Sequence, residues 1–146
     1  MRLIIQRVSQ ASLKAEDGHS SEINKGLFVL VGITQTDSEK EVKTLAEKLF
    51  KLRVMDDEDG KLNLAVKDVS GAEFLVVSQF TLYGDTSGGN RPSFIKAARP
   101  EQAKPLYGLF IKTLKDLGAT VKTGSFGNHM DIDSQLDGPV TIVMES

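Results

Sequence analysis

Phe74-Leu75-Val76-Val77-Ser78-Gln79-Phe80-Thr81 is an uncharged apolar run that ends in a polar corner. Residues 74–77 have the β-branched composition of a strand covered on both faces, and Gly84 soon afterwards lets the backbone turn away. A strand that stops here leaves main-chain N–H groups without further ladder partners. Held rigidly, such donors can meet a developing negative charge, as an oxyanion hole requires. The plainer reading makes Ser78 and Thr81 strand-end residues that satisfy local backbone groups. A second segment, Asp137-Gly138-Pro139-Val140-Thr141, carries a turn signal, and X-Pro is the only common place for a cis peptide bond. Read plainly, Pro139 starts a final strand over residues 140–144. In the cis form it would expose a main-chain carbonyl as a rigid steric probe.

The flanking sequence supplies the rest of a mixed fold. Gly26-Leu27-Phe28-Val29-Leu30-Val31-Gly32-Ile33 predicts a central strand, and residues 1–13 alternate loosely before a turn at Asp17-Gly18. Ser38 and Glu41 form a capping box, and Val42, Leu45, Ala46, Leu49 and Phe50 recur at helical spacing to give one apolar stripe. Further strands are predicted over 52–55, 74–80, 119–122, 130–134 and 140–144. Pro100 suits a first helical turn, and Ala103, Leu106, Tyr107, Phe110, Leu114 and Leu117 mark the buried side of a helix ending at Gly118. Pro105 either kinks that helix or delays its regular part. The predicted class is α/β: a mixed, largely antiparallel sheet with two main helices covering one side. One domain over residues 1–146 is expected, since a chain of this length buries roughly two thirds of its unfolded surface.

Composition narrows the function. The absence of cysteine removes disulfides and thiolate metal sites and makes a reducing cytoplasm the simplest home. Met1-Arg2-Leu3-Ile4-Ile5-Gln6-Arg7 returns to charge too soon for a signal peptide, and no apolar run approaches the ~20 residues of a membrane span. No membrane partner is expected. A net charge of −2 argues against generic nucleic-acid binding by the whole surface. Its distribution is uneven: residues 88–122 carry seven basic and two acidic side chains, whereas residues 123–146 carry no basic and four acidic ones. Arg91, Lys96 and Arg99 are the best placed of the basic residues to receive a phosphate backbone, while Lys112 and Lys115 are read equally well as solvating a helix face.

Several constellations fall away. The acidic run Asp56-Asp57-Glu58-Asp59 lacks calcium-loop spacing and reads as an inert hairpin turn. His19 and His129 stand apart, so no Ser-His-Asp set or zinc cluster is assembled, and Gly84 to Asn90 has neither P-loop nor dinucleotide spacing. No metal and no cofactor is implied.

Several motifs in one order carry more weight than any of them alone. Arg7-Val8, Gly32-Ile33, Met55 to Asn63, Ser78-Gln79-Phe80-Thr81-Leu82-Tyr83, Arg91-Pro92-Ser93-Phe94, Ala97-Ala98, Leu106-Tyr107, Phe126-Gly127, Met130 and Asp137-Gly138-Pro139-Val140-Thr141 closely resemble the D-aminoacyl-tRNA deacylases, homodimeric proofreading enzymes that free tRNA from D-amino acids. The resemblance runs from Met1 to Thr141 and implies their three-layer fold, paired as a two-fold dimer. It implies that Ser78, Gln79, Phe80 and Thr81 form the catalytic corner, with N–H groups around Phe80 and Thr81 holding the ester carbonyl while water attacks with help from the ribose hydroxyl. Thr81 as nucleophile would need an adjacent base, and none is visible in the sequence. Phe126 and Met130 are implied to touch substrate. Gly138 and Pro139 are implied to reach into the partner's pocket as a chirality filter, supported by Arg7 and Asp137.

Such a filter implies broad side-chain specificity and tolerance of Gly-tRNA. Leu136, Ser134 and Asn128 depart from the family pattern, and Ser87-Gly88-Gly89-Asn90 lacks a basic residue often found before Arg-Pro-Ser-Phe. Two alternatives stay open on the sequence: a catalytically silent dimeric RNA-binding module of this fold, and a deacylase for a mischarged L- or achiral amino acid.

Overall fold

The computed structural model describes residues 1–146. Strand β1 (Arg2–Ala15) is the axis around which the other elements gather. It turns back through β2 (Ser20–Ile23) into β3 (Gly26–Gly32), both antiparallel to it. Helix α1 (Glu39–Phe50) begins at the Ser38–Glu41 capping box and buries Val42, Leu45, Ala46 and Leu49, as its periodicity predicts. A small hairpin, β4 (Met55–Asp56) with β5 (Leu62–Leu64), follows. Strand β6 (Glu73–Ser78) then lies parallel to β3. After helix α2 (Pro100–Asp116), β7 (Val121–Thr123) adds parallel to β6, and β8 (Met130–Glu145) returns antiparallel along the free edge of β1. The result is a mixed α/β fold with two helices and a nearly closed sheet.

The alternation of β1 changes side part-way along. Leu3 and Ile5 join the larger core with β3, β6 and both helices, whereas Val8, Ala11 and Leu13 join a smaller core with Ile23, Phe28, Leu75 and Val77. That switch follows the irregular pairing of β1 with β8 between Gln6 and Gln10, because an inserted residue inverts every side chain beyond it. At the start of β1 the Met1 ammonium is buried against the Asp37 carboxylate at 2.5 Å, and Asp37 also accepts the Thr34 N–H at 2.8 Å. No helix is long and apolar enough to cross a membrane.

Several predicted boundaries move. The two strands expected over 130–134 and 140–144 are one sixteen-residue strand, because β1 offers an edge long enough to pair with both. Gln6 faces Thr141 and Val8 faces Leu136, so Asp137 to Val140 bulge out opposite the single residue Arg7. The expected 52–55 strand is shortened and shifted to Met55–Asp56, and the expected 119–122 strand to Val121–Thr123. Pro105 does not delay α2, which runs unbroken from Pro100 to Asp116 with Tyr107, Phe110 and Leu114 buried. Its exposed ring costs one intrahelical bond without clashing with the core.

Candidate active site

Strand β6 ends at Ser78, and the chain closes into a single 3-10 turn, Phe80–Tyr83. Gln79 joins the two with a hydrogen bond from its N–H to the Val31 carbonyl at 2.8 Å. The first amides of a helical turn have no partner within it, and those of Phe80 and Thr81 find no acceptor elsewhere in the chain. Two unpaired main-chain donors therefore sit at the end of a rigid parallel strand. The turn packs so tightly on β3 that a Cβ on Gly32 would lie 3.0 Å from Leu82 Cβ and 3.3 Å from the Gln79 carbonyl oxygen. Arg2 holds the turn from behind, donating to the Leu82 carbonyl at 2.6 Å with its guanidinium 5.1 Å from the Tyr83 ring centroid. Partial burial pushes the Tyr83 phenol up to about 12, with the Asp37 carboxylate adding to the shift.

A cleft of about 680 Å³ opens beside this corner. Its walls are Ser78, Gln79 and Phe80 from the corner, Phe94 to Pro100 in part, and Phe126 to Met130 from the β7–β8 connection. Phe80 is 57% exposed and meets Phe94 edge-to-face at 5.1 Å. Phe126 leans on the buried Tyr107 at 5.7 Å, and Tyr107 donates to the Val76 carbonyl at 2.8 Å. Burial pushes the Tyr107 phenol well above its ordinary value. Thr81 does not line the cleft, and its hydroxyl accepts from the Gln79 side-chain amide, which is no base. His129 does line it and stands 3.6 Å from Asp131, yet it makes no hydrogen bond with the Ser78 hydroxyl. The sequence points to Phe126 and Met130 on this connection but not to Asn128 or His129 between them, which the return of β8 along β1 carries to the corner as well.

The Asp137–Val140 bulge lies away from the cleft of its own chain. The Gly138–Pro139 bond is cis. Arg7, with a side chain 6% exposed, donates from Nε to the Asp137 carbonyl at 3.1 Å, and it pairs with the Asp137 carboxylate at 3.2 Å. Its Nη1 donates to Asp56 at 2.7 Å and to the Val54 carbonyl at 3.2 Å. Asp56 is therefore not part of an inert turn: it is a partner of a buried guanidinium. Asp57 does close that turn, and its bonds from the Lys61 and Asp59 amides hold its carboxyl below the usual range.

The three basic candidates separate. Arg99 lies on the cleft rim ahead of α2. Arg91 is exposed in the preceding loop. Lys96 is spent on Asp85 at 2.9 Å, where Asp85 also receives the Ser87 hydroxyl at 2.7 Å; with Ser87 and then Lys96 as partners, the Asp85 carboxyl titrates well below its ordinary value. These bonds, with the Asp85–Ser93 bridge, tie the glycine-rich loop across its base.

A family model described as D-Tyr-tRNA(Tyr) deacylase matches residues 4–145. The chain belongs to the D-Tyr-tRNA(Tyr) deacylase family. Relatives agree along their full length. The D-aminoacyl-tRNA deacylase of Bacillus pumilus is 51% identical over 146 residues, covering 100% of this chain and 99% of the relative. That of Chloroherpeton thalassium is 50% identical over 147 residues, covering 100% and 96%. Among solved structures, the "c-Myc DNA Unwinding Element Binding Protein" superposes with TM-score 0.91 at 40% identity, over 100% of this chain and 99% of that one. A probable eukaryotic D-amino acid tRNA deacylase shares the fold at TM-score 0.82 and 16% identity, over 99% and 98%.

Proposed function

We propose that main-chain amides at the strand-end corner, rather than a side-chain base, carry the chemistry of this chain. As a family member it is a D-aminoacyl-tRNA deacylase, a carboxylic ester hydrolase. Water adds to the ester carbonyl of a D-aminoacyl-tRNA, the bond from that carbon to the ribose oxygen breaks, and free tRNA and D-amino acid leave. The observation that carries the reading is the pair of acceptorless N–H groups on Phe80, which lines the open cleft, and on Thr81, the next residue of the turn. An ester oxygen bound there would gain charge as water adds, and loss of one such donor typically costs about 3–4 kcal/mol. The free hydroxyl next to the acylated one on the terminal ribose takes the proton from water and passes a proton to the leaving oxygen. Gln79 and Ser78 frame the corner, and Phe126 and Met130 form the wall against the amino acid.

Chirality is selected by a second copy of the chain in a homodimer of single domains. Gly138 and Pro139 of one copy enter the cleft of the other, with Arg7 and Asp137 holding the bulge in place. Supporting this are the position of the bulge outside its own cleft and the exposure of Leu136 at 44% and Val143 at 60% on the same strand. A carbonyl oxygen at contact distance from the α-hydrogen of a D-residue meets the side chain of any L-residue, so rejection does not depend on side-chain identity. Glycine has no side chain to reject, and Gly-tRNA is a substrate on this reading. Arg91, Arg99 and, if it leaves Asp85, Lys96 receive the tRNA backbone, and the cytoplasm is the compartment. Deacylation of D-Tyr-, L-Tyr- and Gly-tRNA tests the proposal: D-Tyr and Gly are released and L-Tyr is spared, whereas rapid L-Tyr release contradicts the filter.

A further inference from the structure

We propose that Asp17, Ser125 and Asn128 form a positioning cluster that sets the substrate-facing wall of the cleft. The wall is the connection between β7 and β8, whose residues Phe126 to Met130 all line the cleft. The connection has few main-chain ties. Gly124 N–H reaches the Val76 carbonyl at 3.0 Å at one end, and the Glu16 N–H reaches the His129 carbonyl at 3.1 Å at the other. Between them, the Asn128 N–H to the Ser125 carbonyl at 3.4 Å closes the connection only on itself.

The missing tie is supplied by one carboxylate from the β1–β2 turn. Asp17 Oδ2 accepts the Ser125 hydroxyl at 2.5 Å and the Asn128 side-chain amide at 2.8 Å, while the same Asn128 amide donates its second hydrogen to Ser125 Oγ at 2.7 Å. The donors and acceptors balance, so the three side chains close a triangle across the base of the Phe126-Gly127 step. Asp17 Oδ1 is itself fixed by the His19 N–H at 3.0 Å. His19 and Ser21 extend the clasp, since His19 Nε2 lies 2.7 Å and Ser21 Oγ 2.8 Å from the Thr123 carbonyl oxygen. The Ser125 hydroxyl, then the His19 amide, hold the Asp17 carboxyl below its ordinary value, so it stays ionised at neutral pH. A side-chain carboxylate in an exposed turn thus does what a ladder of backbone bonds does elsewhere in the sheet. Asn128 is one corner of the triangle.

Because Asp17 and Asn128 are exposed and Ser125 is half-buried, their loss costs little global stability and acts on the wall instead. The kinetic arm of the test rests on the deacylase reading; the exchange arm does not. In Asp17→Ala and Asn128→Ala, KM for D-Tyr-tRNA is expected to rise about three- to tenfold with kcat little changed. The double variant should be no worse than Asp17→Ala, since both substitutions open the same triangle. Amide hydrogen exchange at Asn128 and Glu16, whose N–H groups bond the Ser125 and His129 carbonyls, should quicken in each variant, with the rest of the sheet unaffected. Unchanged exchange in Asp17→Ala overturns the cluster, and so does unchanged KM. A wild-type chain that leaves D-Tyr-tRNA intact defeats the deacylase reading, and exchange alone then decides whether the carboxylate holds the wall.

Discussion

Thr81 and Arg7 show how far a single side chain's role depends on what faces it. The Thr81 hydroxyl faces the Gln79 amide and lacks a base, so Thr81→Ala is expected to retain substantial deacylase activity, within about tenfold of wild type. Near-total loss with folding and tRNA binding intact would restore Thr81 as nucleophile. Arg7 is the opposite case, a buried guanidinium shared by two carboxylates and two carbonyls. Removing it strands these acceptors, and Arg7→Ala should destabilise the fold by about 2–4 kcal/mol in urea unfolding. Arg7→Lys should recover little of this, because one ammonium cannot span the fork of partners.

Among the elements, the 3-10 turn and α2 respond to changes of a single atom group. A methyl added at Gly32 would press on Leu82, Tyr83 and the Gln79 carbonyl, which hold the turn carrying the proposed oxyanion amides. Gly32→Ala should therefore lower kcat far more than it lowers the melting temperature. In α2, Pro105 leaves the Glu101 carbonyl without its i+4 donor, and its ring is exposed. Pro105→Ala restores that bond and should stabilise the chain by about 1–2 kcal/mol, the helix gain outweighing the extra entropy of the unfolded state. Calorimetry decides the sign.

For the whole molecule, association and pH are the informative variables. An aspartate at Val143, on the exposed face of β8, should leave the melting temperature of the protomer nearly unchanged, yield a monomer in sedimentation equilibrium, and abolish deacylation. A dimer that survives Val143→Asp would move the interface elsewhere. Asp17, Asp57, Asp68 and Asp85 titrate below 3.8 and Glu41 below 4.5 in the folded chain. Their contribution is complete above those values and fades as pH falls through the lower folded ones. Tyr83 and Tyr107 are raised above 10.0, so their contribution is complete below that value and fades as pH climbs towards the folded pKa. Melting temperature should therefore fall at both ends, on the acid side below about pH 4 and on the alkaline side above about pH 10.

The sequence alone determined what local chemistry decides. The α1 capping box and apolar stripe, the buried β3 and β6 runs and the polar corner after Val77 depend on neighbours a few residues away and are found in the structure, although β6 ends at Ser78 and not at the expected residue 80, where the 3-10 turn takes over. The order of motifs also identified the family that the comparisons show. Only the tertiary structure decided that 130–145 is one strand with a bulge, since the break is set by an edge of β1 more than a hundred residues distant. Only it joined Asp56 to Arg7 and Asp17 to Asn128, because polar side chains separated by 49 and 111 positions leave no periodic trace of their meeting.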